Sequence, residues 1–176
     1  MSQPTHQRMF FALWPSEEVR RALWEASGKL HKVWNGRRTK PDTLHMTLVF
    51  LGDVELTRLD ELRAVAAQMD TRRFSLNLNH ASCWRHNKVG FLSPQESPPE
   101  LLQLVYGLED NLEAAKFTFD ERPYKPHLTL LRNTRCTTQV PLEPILWDIE
   151  EFVLAGSSTT DHGPSYQLLG RWPLKS

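Results

Sequence analysis

Two short strings constrain the fold of this chain more than any other feature: His-Met-Thr-Leu at 45–48 and His-Leu-Thr-Leu at 127–130. Each begins an apolar run whose length and composition are typical of a buried or half-buried strand. Successive side chains of a strand point to opposite faces, so each histidine shares a face with its threonine while the apolar residues take the other. Each string therefore predicts a strand that presents an imidazole and a hydroxyl on one side and is anchored in a core by the other.

The two histidines, His45 and His127, lie almost half the chain apart. The predicted order of strand, helix, motif strand and helix is followed by two strands, and then by a helix and a motif strand again. Two related lobes that face each other across a cleft are the simplest interpretation. We expect one bilobal domain, 1–176, whose cleft is lined by His45, Thr47, His127 and Thr129.

The other elements follow from apolar periodicity. Ser16 can cap the first helix and Asn35-Gly36 ends it. The predicted helices cover about 16–33, 56–69 and 97–116. The predicted strands are 9–14, 45–51, 74–78 with 88–92 as its partner, 117–119, 127–131, 147–154 and 166–172, and 132–144 is an irregular connection. Paired strands with short turns favour antiparallel sheets, so the predicted class is mixed α/β (α+β), with helices flanking the sheets.

The balance of charge limits the class of partner. Lys plus Arg and Asp plus Glu both number 21, so the formal net charge of the 176 residues is zero. Coating a long nucleic acid requires many phosphate contacts and hence a basic surface, whereas a neutral chain can still hold one local anion site. We therefore expect a small anionic group as the partner.

Several other classes of protein are excluded or disfavoured. No apolar run approaches the roughly 18–20 residues of a membrane span, and the N-terminal segment lacks the apolar region of a signal peptide. We expect a cytoplasmic monomer that does not bind membranes. Cys83 and Cys136 lack the spacing of metal ligands, and we expect two reduced thiols rather than a disulfide. No P-loop, GxGxxG or GxSxG string occurs, and we expect neither a cofactor nor a metal.

Two histidines on opposite walls of a cleft suit in-line displacement at phosphorus. One neutral imidazole takes a proton from the attacking water or hydroxyl, and the other, protonated, donates to the leaving oxygen. Each proton transfer contributes roughly 10²–10⁴-fold in rate. Threonine hydroxyls two residues further on can donate to the non-bridging phosphoryl oxygens, where charge resides. This chemistry requires no metal. A single histidine of this kind in a strand is more often structural, and only the pair favours catalysis.

Basic residues near both motifs fit an anionic substrate; they are Arg37, Arg38, Lys40, Arg122, Lys125, Arg132 and Arg135. Arg132 can grip a phosphate with two parallel hydrogen bonds. Strict alternation places Arg132 on the face opposite His127, so a bulge or the end of the strand must intervene for it to reach the cleft. Phe11, Tyr124 and Trp84 are candidates for stacking on a base, although aromatic residues near strands usually lie in the core.

Three strings together resemble the two-histidine phosphoesterase superfamily: MFFALW followed by proline, LHMTLVFLGD, and RPYKPHLTLLRN. Within it, the chain is most similar to the bacterial and archaeal RNA 2′,3′-cyclic phosphodiesterases, first described as 2′-5′ RNA ligases. The match spans nearly the whole chain. It implies a pseudo-symmetric α/β fold with one His-x-Thr motif on each lobe.

The resemblance also implies hydrolysis of a ribose 2′,3′-cyclic phosphate, on RNA ends or nucleotides, to a 2′-phosphate by metal-independent acid–base catalysis. By motif position, His45 is the proton donor to the 3′-oxygen and His127 is the base that activates water. Thr47 and Thr129 hold phosphate oxygens, and Arg132 assists them. A 5′-hydroxyl in place of water gives a 2′-5′ linkage. Without the family, the near-symmetry of the motifs leaves the order of the two roles open.

Two alternatives remain at this stage. One keeps the chemistry and changes the substrate to ADP-ribose 1″,2″-cyclic phosphate or a 2′-5′ oligonucleotide, because the motifs address only the phosphate. The other is a non-catalytic nucleotide-binding module of the same fold. That module predicts the loss of a motif histidine, and both histidines are present.

Overall fold

The computed structural model describes residues 3–176. Within this range ten strands and three α-helices follow one another, with short 3-10 turns at Pro41–Thr43 and Leu56–Arg58. The elements are β1 His6–Leu13, α1 Glu17–Trp34, β2 Arg37–Arg38, β3 Met46–Glu55, α2 Leu59–Ala67, β4 Phe74–Leu78, β5 His80–Trp84, β6 Val89–Ser93, α3 Pro99–Ala114, β7 Leu128–Arg132, β8 Ile145–Ile149, β9 Glu151–Thr160 and β10 Gly163–Pro173.

The named strands form two four-stranded sheets and a two-stranded ribbon. The first sheet has the order β10-β9-β1-β3, the second has the order β2-β7-β6-β5, and the ribbon pairs β4 with β8. All of these pairs are antiparallel. The predicted α+β class with antiparallel sheets is confirmed. One motif strand, β3, forms an edge of the first sheet, and the other, β7, lies inside the second.

The first helix forms where the sequence indicates. The Ser16 hydroxyl accepts a hydrogen bond from the Val19 amide at 3.4 Å, and acidic residues occupy the first turn, where they complement the helix dipole. The helix ends at Asn35 and Gly36, whose φ angles are 60° and 92°. Helix α1 packs against β2, β7 and β8, while α2 contacts β10 and α3 contacts β3. Each sheet is thus covered by helices.

Gly36 allows the chain to pass close to the second motif strand. A Cβ at this position would lie 2.6 Å from the carbonyl oxygen of Arg132, and the positive φ independently favours glycine. Directly after it, Arg37 pairs with Arg132 and Arg38 pairs with Leu131. The predicted basic connector therefore begins as an edge strand, β2, hydrogen-bonded to β7.

The apolar faces of both motif strands reach the core. Met46, Leu48, Leu128 and Leu130 are buried in one hydrophobic cluster that draws on both four-stranded sheets. Full burial of each such side chain contributes roughly 1.5–3 kcal/mol. The alternation predicted from the two strings therefore anchors each motif strand as expected.

Three strand predictions were wrong. The 74–78 strand pairs with β8 rather than with the strand near 88–92, which is β6 and pairs with β5 and β7. Residues 117–119 form no strand. The predicted strand at 147–154 is divided between β8 and β9, which belong to different sheets. Pairing partners of this kind are set by contacts distant in sequence, which periodicity does not reveal.

The two cysteines also correct an expectation. Cys83 and Cys136 are joined by a disulfide rather than present as reduced thiols. Cys83 lies in β5, and Cys136 lies in the irregular connection that follows β7, the sheet neighbour of β6. Their Cα atoms are 6.0 Å apart although 53 residues separate them in sequence. Strand order within the second sheet brings them together, which spacing in the sequence could not indicate.

Candidate active site

The two motif histidines are held in the same way. Nδ1 of His45 lies 2.7 Å from the carbonyl oxygen of Thr43, and Nδ1 of His127 lies 2.8 Å from that of Lys125. A carbonyl oxygen can only accept, so Nδ1 carries a hydrogen in both rings. This leaves Nε2 of each ring as the atom that can accept or donate a proton.

Both histidines and both threonines line a single cavity of about 520 Å³. His45 stands immediately before β3 and His127 immediately before β7, so the cavity lies between the two sheets. Thr47 and Thr129 follow on the same faces and are half-buried. The structure thus brings together four side chains that the sequence places almost half a chain apart.

Arg132 reaches this cavity through a β-bulge. Opposite Gly90 and Phe91 of β6 stand Leu131 and Thr129 of β7, so Leu130 is an extra residue in the strand. The extra residue reverses the alternation beyond it. Leu130 and Leu131 are both buried, and Arg132 returns to the face of Thr129, where it lines the cavity.

The first motif strand carries an equivalent bulge. Val49 and Thr47 pair with adjacent residues of β1, so Leu48 is the extra residue there. Phe50 therefore returns to the cleft three residues after Thr47, as Arg132 does after Thr129. The two lobes differ at this equivalent position, which is a phenyl ring in one and a guanidinium in the other.

A second cavity of about 490 Å³ continues from the first. The two cavities share the residues Thr47, Phe50, His127, Thr129 and Arg132. The remaining walls of the second cavity include Trp84, His86 and Tyr124 together with the carboxylates Glu109 and Asp120. The cleft is therefore longer than a phosphate requires and has different chemistry at its two ends.

Aromatic side chains surround the His45 ring. The Trp14 ring lies nearly parallel to it, with centroids 5.0 Å apart and an interplanar angle of 7°, and Phe10 and Tyr166 lie 4.9 and 5.3 Å away. Burial lowers the pKa of His45 from 6.5 to about 4, against the hydrogen bond to Thr43, which raises it. The nearby charges of His127 and Arg132 lower this pKa further. In the free protein His45 is a neutral imidazole at neutral pH.

His127 lies in a related but more open setting. Its ring contacts Trp84 edge-on at 4.5 Å and Phe91 at 5.9 Å between centroids. Burial lowers the pKa of His127, the hydrogen bond to Lys125 raises it, and Arg132 lowers it. A neutral His127 at neutral pH is suited to accept a proton through Nε2.

Positive charge is concentrated in the cavity beside His45. Its cationic lining residues are Arg8, Arg37, Arg38, Lys40 and Arg132, and no Asp or Glu is among the described residues that line it. Of the basic residues named from the sequence, Arg122 and Lys125 line the second cavity instead, and Arg135 lines neither. Arg122 is also paired with Asp120.

Of the three residues proposed to stack on a base, Trp84 and Tyr124 line the second cavity and Phe11 does not. Phe11 is fully buried in the core against Phe152 and Trp172, so the interpretation of Phe11 as a stacking residue was wrong. Tyr124 does line the second cavity, and its hydroxyl donates to the carbonyl oxygen of Thr47 at 3.0 Å. Burial raises the pKa of Tyr124, which keeps this hydroxyl protonated.

Sequence reasoning missed Arg8, Trp14 and Tyr166. Arg8 and Tyr166 line the cavity, and the Trp14 ring is stacked on the His45 ring. All three lie in or beside β1 and β10, whose sequences carry no catalytic motif. Arg8 and Phe10 lie two residues apart and so share one face of β1, which was the only available signal that Arg8 lines the site. Using that signal required knowledge that β1 pairs with β3.

The comparison with known families decides the relationship. The family model of the 2′-5′ RNA ligase superfamily matches residues 16–161. The chain belongs to this superfamily. The membership indicated by the paired motifs is therefore confirmed.

Individual members of the superfamily are similar to this chain over nearly their full length. The RNA 2′,3′-cyclic phosphodiesterase of Escherichia coli (strain K12) is 32% identical over 178 residues, covering 99% of each chain. The protein of the same name from Thermus thermophilus is 29% identical and covers 96% of this chain and 90% of its own. The crystal structure of E. coli LigT complexed with 3′-AMP has a TM-score of 0.88 and 30% identity, covering 97% of this chain and 99% of that one.

Two further observations concern residues 3–176 of this superfamily member. None of the helices in that range has the length and apolar character needed to cross a membrane. Nor do His, Cys, Asp and Glu side chains in that range gather in groups of three or more that could hold a metal ion.

Proposed function

We propose that this protein hydrolyses the 2′,3′-cyclic phosphate at the end of an RNA or on a nucleotide to a 2′-phosphomonoester. The observation that carries the proposal is the arrangement of the two imidazoles. Both Nδ1 atoms are held by backbone carbonyl oxygens, and both rings line one cavity together with Thr47, Thr129 and Arg132. Family membership and the names of the relatives support the substrate class.

The reaction is an in-line displacement. Nε2 of neutral His127 accepts a proton from water as the water oxygen forms a bond to phosphorus. The bond from phosphorus to the 3′-oxygen breaks on the opposite side, and protonated His45 donates its Nε2 proton to that oxygen. The product is a 2′-phosphate with a free 3′-hydroxyl, and proton exchange with solvent restores both histidines.

The non-bridging phosphoryl oxygens carry the negative charge during this step. The hydroxyls of Thr47 and Thr129 donate to them, and the Arg132 guanidinium supplies charge-assisted hydrogen bonds. Phe50, which occupies the position equivalent to Arg132 on the other strand, offers no such donor. The asymmetry favours binding of the phosphate against the β7 side of the cleft.

The acid role of His45 requires a proton that the free protein does not hold at neutral pH. Its pKa of about 4 reflects burial first, with smaller contributions from the positive charge of Arg132 and, once it is protonated, of His127. A bound phosphate anion stabilises the imidazolium and offsets the charge of Arg132, so it raises the pKa of His45. We propose that substrate binding and protonation of His45 occur together.

The same site performs ligation when the nucleophile changes. A 5′-hydroxyl that replaces water opposite the 3′-oxygen gives a 2′-5′ linkage, with His127 and His45 in the same roles. Because hydrolysis and ligation share one arrangement of groups, variants of either histidine lower both.

We further propose that the chain acts as one bilobal domain and as a monomer. A single hydrophobic cluster draws on both four-stranded sheets, and both sheets contribute residues to the cleft. Sedimentation equilibrium tests the monomer, and a concentration-dependent dimer contradicts it. The cytoplasmic location stays a prediction from the sequence.

A substrate panel in EDTA tests the function. The panel contains cytidine 2′,3′-cyclic phosphate, ADP-ribose 1″,2″-cyclic phosphate and a 2′-5′ linked dinucleotide, and the phosphomonoester products are identified. We expect the first to be hydrolysed to cytidine 2′-phosphate without added metal. Preferred turnover of either of the others changes the substrate, and binding without turnover indicates a nucleotide-binding module. A requirement for a divalent metal contradicts the mechanism.

A further inference from the structure

The cavity beside His45 holds more positive charge than the reacting phosphate uses. In the proposed reaction that phosphate is met by Arg132, the two threonines and the two histidines. Arg8, Arg37, Arg38 and Lys40 also line the cavity, and no carboxylate among the described residues lines it. Concentrated charge of one sign without counter-charge is costly unless an anion offsets it.

Arg38 is accounted for by the fold. Its Nε donates to the Ser27 hydroxyl at 3.0 Å, its Nη2 donates to the carbonyl oxygen of Trp24, and its guanidinium lies 3.4 Å above the Trp24 ring. These contacts turn Arg38 towards α1. Its role is to fasten β2 to that helix, which leaves the other three cations to be explained.

Arg37 lies directly opposite Arg132 across the β2–β7 pair. Like charges at directly opposed strand positions destabilise a sheet. Both side chains are exposed, and neither forms an ion pair within residues 3–176. Arg132 is met by the reacting phosphate in the proposed reaction, and a second anion beside Arg37 offsets the remaining repulsion.

Arg8 approaches the same cavity from the first sheet. It lies two residues before Phe10 on β1, and its guanidinium lies 5.3 Å from the centre of the Phe50 ring. Arg8 also forms no ion pair with a carboxylate in the part of the chain described. Lys40 stands at the rim, where its Nζ donates to the carbonyl oxygen of His162 at 2.7 Å and keeps further hydrogens to donate.

The connectivity of ribose shows what reaches this cavity. C3′ is bonded to C4′, which carries the 5′-carbon, whereas C2′ is bonded to C1′, which carries the base. If His45 protonates the 3′-oxygen, the 5′ side of the ribose lies towards His45 and its cationic cavity. The group attached to the 5′-oxygen in an RNA chain is the preceding phosphodiester, which is an anion.

We propose that Arg8, Arg37 and Lys40 form a second anion subsite for the phosphate on the 5′-oxygen of the terminal ribose. The enzyme then prefers a cyclic phosphate whose ribose carries a 5′-phosphate or an RNA chain over one with a free 5′-hydroxyl. The position of the ribose rests on the proposed function, whereas the charge distribution does not.

The direct test compares cytidine 2′,3′-cyclic phosphate with its 5′-phosphorylated form, which adds one phosphate and nothing else. We expect kcat/KM to favour the 5′-phosphorylated substrate by about tenfold or more, the contribution of a charge-assisted contact. The double variant Arg8→Gln/Arg37→Gln reduces this ratio towards one. A control of equal charge change is Arg21→Gln/Arg72→Gln, since both arginines are exposed and line neither cavity.

Product binding keeps the test independent of turnover. Calorimetry compares adenosine 2′-phosphate with adenosine 2′,5′-bisphosphate, and we expect the bisphosphate to bind at least about tenfold more tightly. Equal affinities, a preference that survives Arg8→Gln/Arg37→Gln, or an equal loss in the control overturn the subsite. Absence of turnover with the binding preference intact contradicts the proposed function and supports the subsite.

Discussion

Phe50 and Arg132 occupy equivalent positions on the two motif strands. Each follows its threonine by three residues, and each returns to the cleft because the leucine after that threonine, Leu48 or Leu130, is an extra residue in its strand. Both line the two cavities of the cleft. The strands are therefore alike in geometry and differ in charge, so the two halves of the site perform different tasks.

Arg132 is expected to contribute to the transition state through hydrogen bonds to the phosphoryl oxygens. Arg132→Gln should lower kcat for cytidine 2′,3′-cyclic phosphate by roughly 10²-fold, as removal of one preorganised donor does elsewhere. Arg132→Lys should recover only part of this loss, because an ammonium cannot form two parallel hydrogen bonds. Steady-state kinetics on both variants checks this. A loss below threefold in Arg132→Gln means that Arg132 does not contact the phosphate.

The pH optimum of hydrolysis should lie on the acidic side of neutrality. Burial lowers the pKa of both His45 and His127 in the free protein. The profile of kcat/KM, which reports the free enzyme, should therefore be bell-shaped with its optimum below 6.5. The profile of kcat should lie at higher pH, because the bound phosphate stabilises protonated His45. A profile that is flat from pH 5 to 9 contradicts paired histidines.

Stability should depend on His45 in the same pH range. The pKa of His45 is about 4 in the folded protein and near 6.5 unfolded, so the unfolded chain binds more protons between these values. The free energy of unfolding should fall by about 2 kcal/mol from this group between pH 7 and pH 5. Urea unfolding at both pH values measures the change, and His45→Gln should reduce it. An identical pH dependence in that variant is the contrary result.

Trp14 is expected to exclude water from one face of the His45 ring. The stacked indole covers one face of the imidazole, so Trp14→Leu should admit water and raise the pKa of His45 towards 6.5. Titration of the His45 ring by NMR in both proteins gives the shift directly. Tyr166→Phe serves as the comparison, since it retains the edge contact at 5.3 Å and should leave the pKa nearly unchanged. If the two variants behave alike, the indole is not responsible.

Tyr124 is expected to position the first motif strand rather than to stack on a base. Its hydroxyl donates to the Thr47 carbonyl and so links the segment before β7 to the first motif strand. Tyr124→Phe should lower the free energy of unfolding by about 1 kcal/mol, the usual contribution of one hydrogen bond. It should also lower kcat more than it raises KM. A rise in KM alone would instead indicate contact with the base.

The motif strands were the most predictable part of this protein. An alternation of His and Thr with apolar residues specifies which face is buried, because a one-residue slip would place Met46 and Leu128 in water. The three helices were predictable for a similar reason, since their apolar stripes are local. The bulges were not predictable, because Leu48 and Leu130 lie within apolar runs that are equally compatible with unbroken strands. The route by which Arg132 reaches the cleft therefore required the register.

Long-range features were hidden for a related reason. Phe11 and Phe10 are adjacent in an apolar run, and only the pairing of β1 with β3 decides that Phe10 faces the cleft while Phe11 enters the core. The disulfide between Cys83 and Cys136 and the cationic cavity formed with Arg8 likewise depend on which strands become neighbours.

One measurement tests the central claim most directly, because it shows which of the two histidines is the acid and which is the base. In a 2′,3′-cyclic phosphorothiolate the 3′-oxygen is replaced by sulfur, and the leaving thiolate needs no proton. With the ordinary oxygen substrate, His45→Ala and His127→Ala should each lose roughly 10²–10⁴-fold in rate. With the sulfur substrate, the rate should recover in His45→Ala and stay reduced in His127→Ala. Rescue of His127→Ala instead reverses the two roles, and undiminished activity of both variants on the oxygen substrate contradicts two-histidine catalysis.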